Sequence, residues 1–320
     1  MCPIPDGYVG SKVEGEDEIN TGYVIYEGTY DVTDENVATA KTTRNQYVWI
    51  PVDDPSELYG TDSNGKKWGK LYNFSTTSGI TALNWSENNG IMSITSSTSN
   101  REPDVAKSYD TDSRLITLGL GIETTHEFLI QLEKEFNEMI ESVEKYGGFY
   151  IGRYETGNLS QEKLVVIQGN TDIGSQTWYT MYSKSKTLSE DNDNIETEMI
   201  WGCQWDRTLI WLVESENKTI DEIVDSRTWG NYYDSTGDAA TNSGSKRSTG
   251  YSEFWKASNI YDLAGNVREW TKESYSTYSR RTRGEYYGSS NSGVSYRDGD
   301  YGYHTSIANQ NGFRVTLYIK

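Results

Sequence analysis

Cysteine is nearly missing: Cys2 and Cys203 are the only two in 320 residues. One disulfide is the most they allow, so no disulfide framework holds this chain. With only His126 and His304, a multi-histidine metal site is excluded. No apolar run approaches the roughly 20 residues needed to span a bilayer. The opening Met1-Cys2-Pro3 has neither the basic nor the apolar segment of a secretory leader. Positive charge is also short, with 29 Lys and Arg against 48 Asp and Glu, a net charge of −19. Nucleic-acid binders carry clustered Lys and Arg, and anionic membranes attract them, so the charge argues against both partners, and direct membrane insertion is not expected. The acidic excess favours solubility. Hydrophobic residues are only 34%, yet there are 10 Trp and 25 Tyr. Aromatics bury large areas each, so the core is expected to be aromatic-rich rather than disordered.

Aliphatic residues almost vanish between positions 271 and 310. Asn259-Ile-Tyr-Asp-Leu-Ala-Gly-Asn-Val-Arg-Glu-Trp270 opens this region and Asn311-Gly-Phe-Arg-Val315 closes it. Between them lies a tract of Tyr, Ser, Gly, Arg, Asn, Asp and Thr. A core needs aliphatics and a binding surface does not. Tyr supplies rigid contact area at low entropy cost, while Ser, Gly and Asn supply adaptable hydrogen bonds.

The length suits one large domain or two ordinary ones. Residues 1–44 alternate short extended pieces with Gly turns and read as a β-rich extension; the acidic run Glu14 to Glu18 reads as solvated. Tyr47-Val-Trp-Ile-Pro-Val52 is a buried-strand pattern stopped by Asp53-Asp54-Pro55. An insertion is expected over about 53–147, with little regular structure across 60–112. Within it the spacing predicts a helix from Thr125 to Tyr146, with Thr124 and Glu127 at capping-box distance. Phe128, Leu129, Leu132, Phe136, Met139, Ile140 and Val143 form its apolar face, and Gly147-Gly148 ends it. Gly148 to Glu155 reads as a strand, Thr197 to Val213 as a second helix, 230–250 as loop, and Phe313 to Ile319 as a closing strand. Two helices among many short antiparallel strands, with long loops, predict an α+β domain over 45–320.

Landmarks follow in order: Trp49-Ile-Pro-Val52, Gly148-Phe-Tyr-Ile-Gly-Arg-Tyr-Glu155, Gln204-Trp205-Asp206, Trp229-Gly230-Asn231, Asp262-Leu-Ala-Gly-Asn-Val-Arg-Glu-Trp270 and Gly312-Phe-Arg-Val315. Together they resemble the formylglycine-generating enzyme (sulfatase-modifying factor) superfamily, which implies a C-type lectin-like fold. Trp49, Trp205, Trp229, Trp270 and Phe313 are then expected to be scaffold. The enzymes of that family use a cysteine pair shortly before the terminal Gly-Phe-Arg, and this chain has none there. The resemblance therefore implies scaffold without thiolate catalysis. An oxidase of the sulfatase-modifying type is the alternative that those missing cysteines oppose.

The chain also resembles the variable proteins of diversity-generating retroelements, which use this scaffold and replace residues of the C-terminal loops by adenine-directed mutation. That resemblance implies a non-catalytic receptor-binding protein, at a phage tail tip or on a bacterial surface, with a protein or glycan partner. Its variable region would be 275–311. The contact positions would be Ser276, Tyr278, Ser279, Thr282, Tyr286, Gly288, Ser289, Asn291, Gly293, Tyr296, Asp298, Asp300, Tyr301, Tyr303, His304 and Asn309. Arg280, Arg283, Arg297 and Tyr287 would be invariant framework. On charge alone, Arg280, Arg281 and Arg283 would equally suit pairing with an acidic scaffold.

No cofactor is required by this reading, but calcium has one candidate site. Asp262, Gly265, Val267 and Glu269 offer two carboxylates and two carbonyls to a hard cation, and the resembling enzymes carry calcium at this motif. The same residues would serve as plain caps and turns, and a fixed structural or calcium-dependent lectin-like domain stays open on that ground. Asp191-Asn-Asp-Asn194 lacks the Gly and distal Glu of a calcium loop. Glu102-Pro103-Asp104 stands too far from the lectin-like loops to be a sugar motif. His126 falls in the first turn of the long helix.

Overall fold

The computed structural model describes residues 2–83, 85–88, 91–94, 116, 120–160, 163–276, 279–290, 293–298 and 308–320. The chain is a mixed α+β protein built on an antiparallel sheet. Six strands lie in the order Tyr8–Gly10, Val24–Glu27, Gln46–Pro51, Gly148–Gly152, Val315–Ile319, Ile195–Met199. Every neighbouring pair is antiparallel. Residues 1–44 thus contribute two strands to the same sheet that carries the Trp49 landmark, and they also form a short helix, Val37–Thr43. The central strands are buried along their length, which is why they read as continuous apolar runs rather than alternating ones.

The helix Thr125–Tyr146 covers this sheet. The Thr124 hydroxyl accepts from Glu127 N at 3.1 Å, and the Glu127 carboxylate accepts from Thr124 N at 3.0 Å. Gly147 ends the helix in the left-handed region, at φ 78°. Phe128, Leu132, Phe136, Met139, Ile140 and Val143 are all buried, with Leu129 half-buried beside them. The same face also carries a charge inward. Glu135 is 1% exposed and holds Lys272 at 2.7 Å and Lys186 at 2.6 Å. Burial alone would raise its carboxyl, but the two ammonium groups hold it down at about 2.

Five tryptophans, Trp178, Trp201, Trp205, Trp255 and Trp270, are fully buried, so the core is aromatic as the composition implies. Trp49, Trp229 and Phe313 are buried with them.

Three expectations need correction. The second helix does not begin at Thr197. Ile195–Met199 is the edge strand of the main sheet, and the helix runs Gly202–Glu214 with Trp201 at its N-cap. The apolar spacing that suggested one helix spans a strand-to-helix junction.

The acidic run Glu14 to Glu18 is not wholly solvated. Glu16 is buried and bonds Arg153 at 2.7 Å, Tyr26 at 2.8 Å and Ser11 at 2.9 Å, with Lys41 at 3.2 Å. Burial would raise its pKa, but Arg153 and these donors hold it down at about 2. Arg153 lies in the Gly148–Glu155 landmark, so a partner far along the chain decides where Glu16 goes.

Residues 60–112 are also not devoid of structure. They contain the hairpins Tyr59–Thr61 with Lys67–Gly69, Tyr72–Ser75 with Gly79–Ala82, and Trp85–Asn88 with Ile91–Ile94. The first closes on Asp62, whose carboxylate accepts from Asn64 N and Lys66 N, both at 2.9 Å. Glu102-Pro103-Asp104 lies outside the described residues.

Candidate ligand-binding face

The two landmarks that bracket the C-terminal segment are neighbours in space. Arg268, Glu269 and Trp270 pair in parallel with Asn311, Gly312 and Phe313. This parallel pair belongs to a second sheet ordered Arg297–Asp298, Ser279–Arg283, Arg268–Ser276, Asn311–Phe313. The segment between them is therefore an excursion whose ends are held side by side.

The Asp262–Trp270 motif organises this clamp. Asp262, Gly265 and Asn266 all take positive φ, at 56°, 81° and 60°. Asx side chains tolerate that region and glycine is free in it. At Gly265 any Cβ would stand 2.2 Å from Asn231 O, so no other residue fits without moving the backbone. Asn266 is fully buried and acts as a hub. Its side-chain oxygen accepts from Arg247 N at 2.9 Å and Asn231 Nδ2 at 3.1 Å. Its amide donates to Glu155 at 2.6 Å, and its carbonyl accepts from Tyr287 N at 3.1 Å. Residues scattered from 155 to 287 thus meet at one asparagine.

Beneath the hub lie four buried carboxyls, Glu155, Asp172, Asp262 and Glu269. Arg314 answers them, holding Glu269 through Nη2 at 2.5 Å and Nε at 3.0 and 3.1 Å. It also donates to Gly152 O and Tyr261 O. Burial and the neighbouring acids Asp262, Asp172 and Glu269 push Glu155 well above the usual carboxylate range. Burial pushes Asp262 up to about 7, against a hydrogen bond from Gly250 N at 2.6 Å. Asp172 is also pushed up by burial, while Lys246 at 2.7 Å opposes the shift.

The residues do not fit the calcium site expected at Asp262, Gly265, Val267 and Glu269. Both oxygens of Glu269 are already taken by the Arg314 guanidinium, and one oxygen of Asp262 accepts from Gly250 N. Among the described residues no three His, Cys, Asp or Glu are gathered to hold a metal ion.

The arginines of the C-terminal tract are framework. Arg283 is fully buried and pairs with Asp206 at 2.6 Å and Glu273 at 3.3 Å. Arg297 reaches the other oxygen of Asp206, and its Nε lies 3.5 Å from Glu273. Arg280 lies over the Trp178 ring at 4.4 Å. Asp206, in the Gln204-Trp-Asp landmark, also accepts from Tyr72 N at 2.8 Å. The helix Gly202–Glu214 and a hairpin of the 53–147 region therefore share one carboxylate with the C-terminal sheet.

On this framework the expected contact residues divide. Gly288 and Tyr296 are exposed, Ser289 is half-buried, and Asn309 is exposed with its carbonyl held by Lys246 at 2.8 Å. Tyr286 is half-buried under Arg268, 4.5 Å from the ring centre, and lies edge-on to Tyr287. Ser276 and Ser279 pair at the end of a hairpin.

Three others belong to the framework. Thr282 is buried and pairs with both Trp270 and Asp298 in the sheet. Asp298 is buried and held by Arg268 at 3.0 Å. Gly293 is buried, and a Cβ there would stand 2.3 Å from Val224 O. Composition could not separate them, because a buried Asp, Thr or Gly is spelled like an exposed one. Tyr278, Asn291, Asp300, Tyr301, Tyr303 and His304 lie outside the described residues.

No protein-family model matches this chain, and no curated protein matches it significantly. Among solved structures, Treponema denticola variable protein 1 is similar over 53% of this chain and 95% of its own, at 12% identity and a TM-score of 0.33. So slight a likeness carries no argument for fold or function.

Proposed function

We propose that this chain is a non-catalytic ligand-binding protein. It displays a diversified C-terminal surface on a C-type lectin-like scaffold of the formylglycine-generating enzyme subclass. Its setting is a phage tail tip or a bacterial surface, outside the cell, and its partner is a protein or glycan receptor. The reading requires no cofactor and no nucleic acid.

The observation that carries it is the pairing of Arg268–Trp270 with Asn311–Phe313. A loop region tolerates replacement when a rigid scaffold holds its ends. Here the ends are held by a parallel strand pair and by the buried Glu269–Arg314 ion pair. Exposed Tyr296, Gly288 and Asn309 supply the composition of an adaptable contact surface.

Sequencing the 3′ end of the gene and its flanks across a source population tests this reading. The expected result is a near-copy template beside a reverse transcriptase gene, with differences confined to template adenines and to codons within 275–311. They should spare Thr282, Gly293 and Asp298. An invariant segment without a template would sink the diversified reading and leave a fixed lectin-like domain.

A further inference from the structure

Residues 230–250 read in sequence as loop, outside the C-terminal tract. The fold hangs them on the same hub. Arg247 N donates to the Asn266 side chain, Tyr233 N donates to Ser289 O at 3.2 Å, and Gly244 lies against Tyr233. Tyr233 is 75% exposed and Tyr251 47%. Single exposed aromatics need no explanation. Tyr233 is tied to the 286–289 turn through its backbone, and Tyr251 is held by Trp255 and Arg247.

Tyr251 stacks on buried Trp255, with ring centres 5.7 Å apart, and the Arg247 guanidinium stands 5.1 Å from its ring centre. Arg247 Nε donates to Asn242 O at 3.1 Å. Among the described residues no carboxylate lies within ion-pair distance of this guanidinium. Arg153, Arg207, Arg227, Arg268, Arg283, Arg297 and Arg314 all have one, while Arg44 is held by the backbone carbonyls of Glu27, Tyr30 and Tyr26. In a chain of net charge −19, a part-buried arginine beside an exposed ring, with no carboxylate partner among the described residues, is chemically specific. Its planar fork suits a carboxylate, and Tyr with Arg is the pairing enriched at the energetic centres of protein interfaces.

We propose that residues 230–255 form a fixed flank of the binding face. At this flank Arg247 and Tyr251 receive an aspartate or glutamate carboxylate of a partner protein, and Tyr233 covers apolar side chains beside it. The proposal rests on the ligand-binding reading above and adds to it a constant subsite outside 275–311.

The test pans a random dodecapeptide phage library against the full chain. Enriched peptides are then measured on three variants: Arg247→Met with Tyr251→Ser, Arg247→Lys, and Tyr286→Ser with Tyr296→Ser. Arg247 joins the Asn266 hub through its backbone, so its side-chain variants keep that contact. The expected result is enrichment of Asp and Glu. Affinity should fall at least tenfold on the first and third variants, with an intermediate loss on Arg247→Lys. Loss on the third variant alone overturns the flank and leaves the C-terminal reading standing. Loss on the first alone keeps the flank and overturns that reading. No enrichment overturns the peptide-carboxylate subsite, and enrichment with loss on neither overturns both. Binding of uronate- or sialate-bearing glycans that depends on Arg247, without peptide enrichment, overturns the assignment to a protein partner.

Discussion

Replacing Arg314 with Met should cost more than any other single change to the site. The arginine is fully buried and carries five hydrogen bonds, three to Glu269 and one each to Gly152 O and Tyr261 O. Removing one partner of a buried ion pair leaves an uncompensated charge, at about 3–5 kcal/mol. Each orphaned carbonyl adds about 1 kcal/mol. The sum is roughly 5–7 kcal/mol, comparable to the whole stability of many domains, about 5–15 kcal/mol. Urea unfolding followed by tryptophan fluorescence measures the loss.

Its pH dependence separates this cause from mere lost packing. Burial already raises Glu269, with Arg314 opposing the rise. Without the guanidinium its carboxyl will protonate, so the loss should be largest near pH 8 and shrink towards pH 5. Adding Glu269→Gln to Arg314→Met should recover a large part of the loss at pH 8 and little at pH 5. A loss below about 1 kcal/mol at pH 8, or one that neither pH nor Glu269→Gln alters, would refute the reasoning.

Asp262→Asn should show the opposite sign. Its folded pKa is raised from 3.8 to about 7, so the neutral form favours the native state, and that contribution is present below about pH 4 and lost as pH rises through 7. The variant should gain on the wild type between pH 5 and 8 in thermal melts; a constant difference across that range would contradict the shift. Glu16, held at about 2 by Arg153, contributes stability above its unfolded value near 4.5 and loses it as pH falls towards 2. Glu16→Gln should therefore remove part of the acid sensitivity seen in acid titration by circular dichroism. Gly265→Ala combines positive φ with a contact at 2.2 Å; the conformation alone costs about 1–3 kcal/mol, and calorimetry should show a clear drop in melting temperature. Tyr296→Ser, at an exposed position, should stay within about 0.5 kcal/mol. Asp298→Ala should cost more in the same urea assay because it strips a buried carboxylate from Arg268; equal effects would blur the line between framework and surface.

Local chemistry was legible in the chain. The helix Thr125–Tyr146 carries its start, its apolar face and its stop in its own residues, because capping and 3.6-residue periodicity are short-range facts. The aromatic core followed from composition. The two landmarks around the C-terminal tract stood out because each is spelled by residues with special backbone or charge roles.

What the sequence could not supply was pairing across distance. Thr197 to Met199 became strand because Val315–Ile319 offered an open ladder. Glu16 went inside because Arg153 was there to meet it. Asp298 and Thr282 share the alphabet of a contact loop, yet Arg268 and the sheet draw them into the framework. Arg247 reads like any loop arginine until the fold leaves it without a carboxylate among the described residues. Propensity and capping act within a turn of chain, whereas burial and ion pairing are settled by which segments the tertiary structure places side by side.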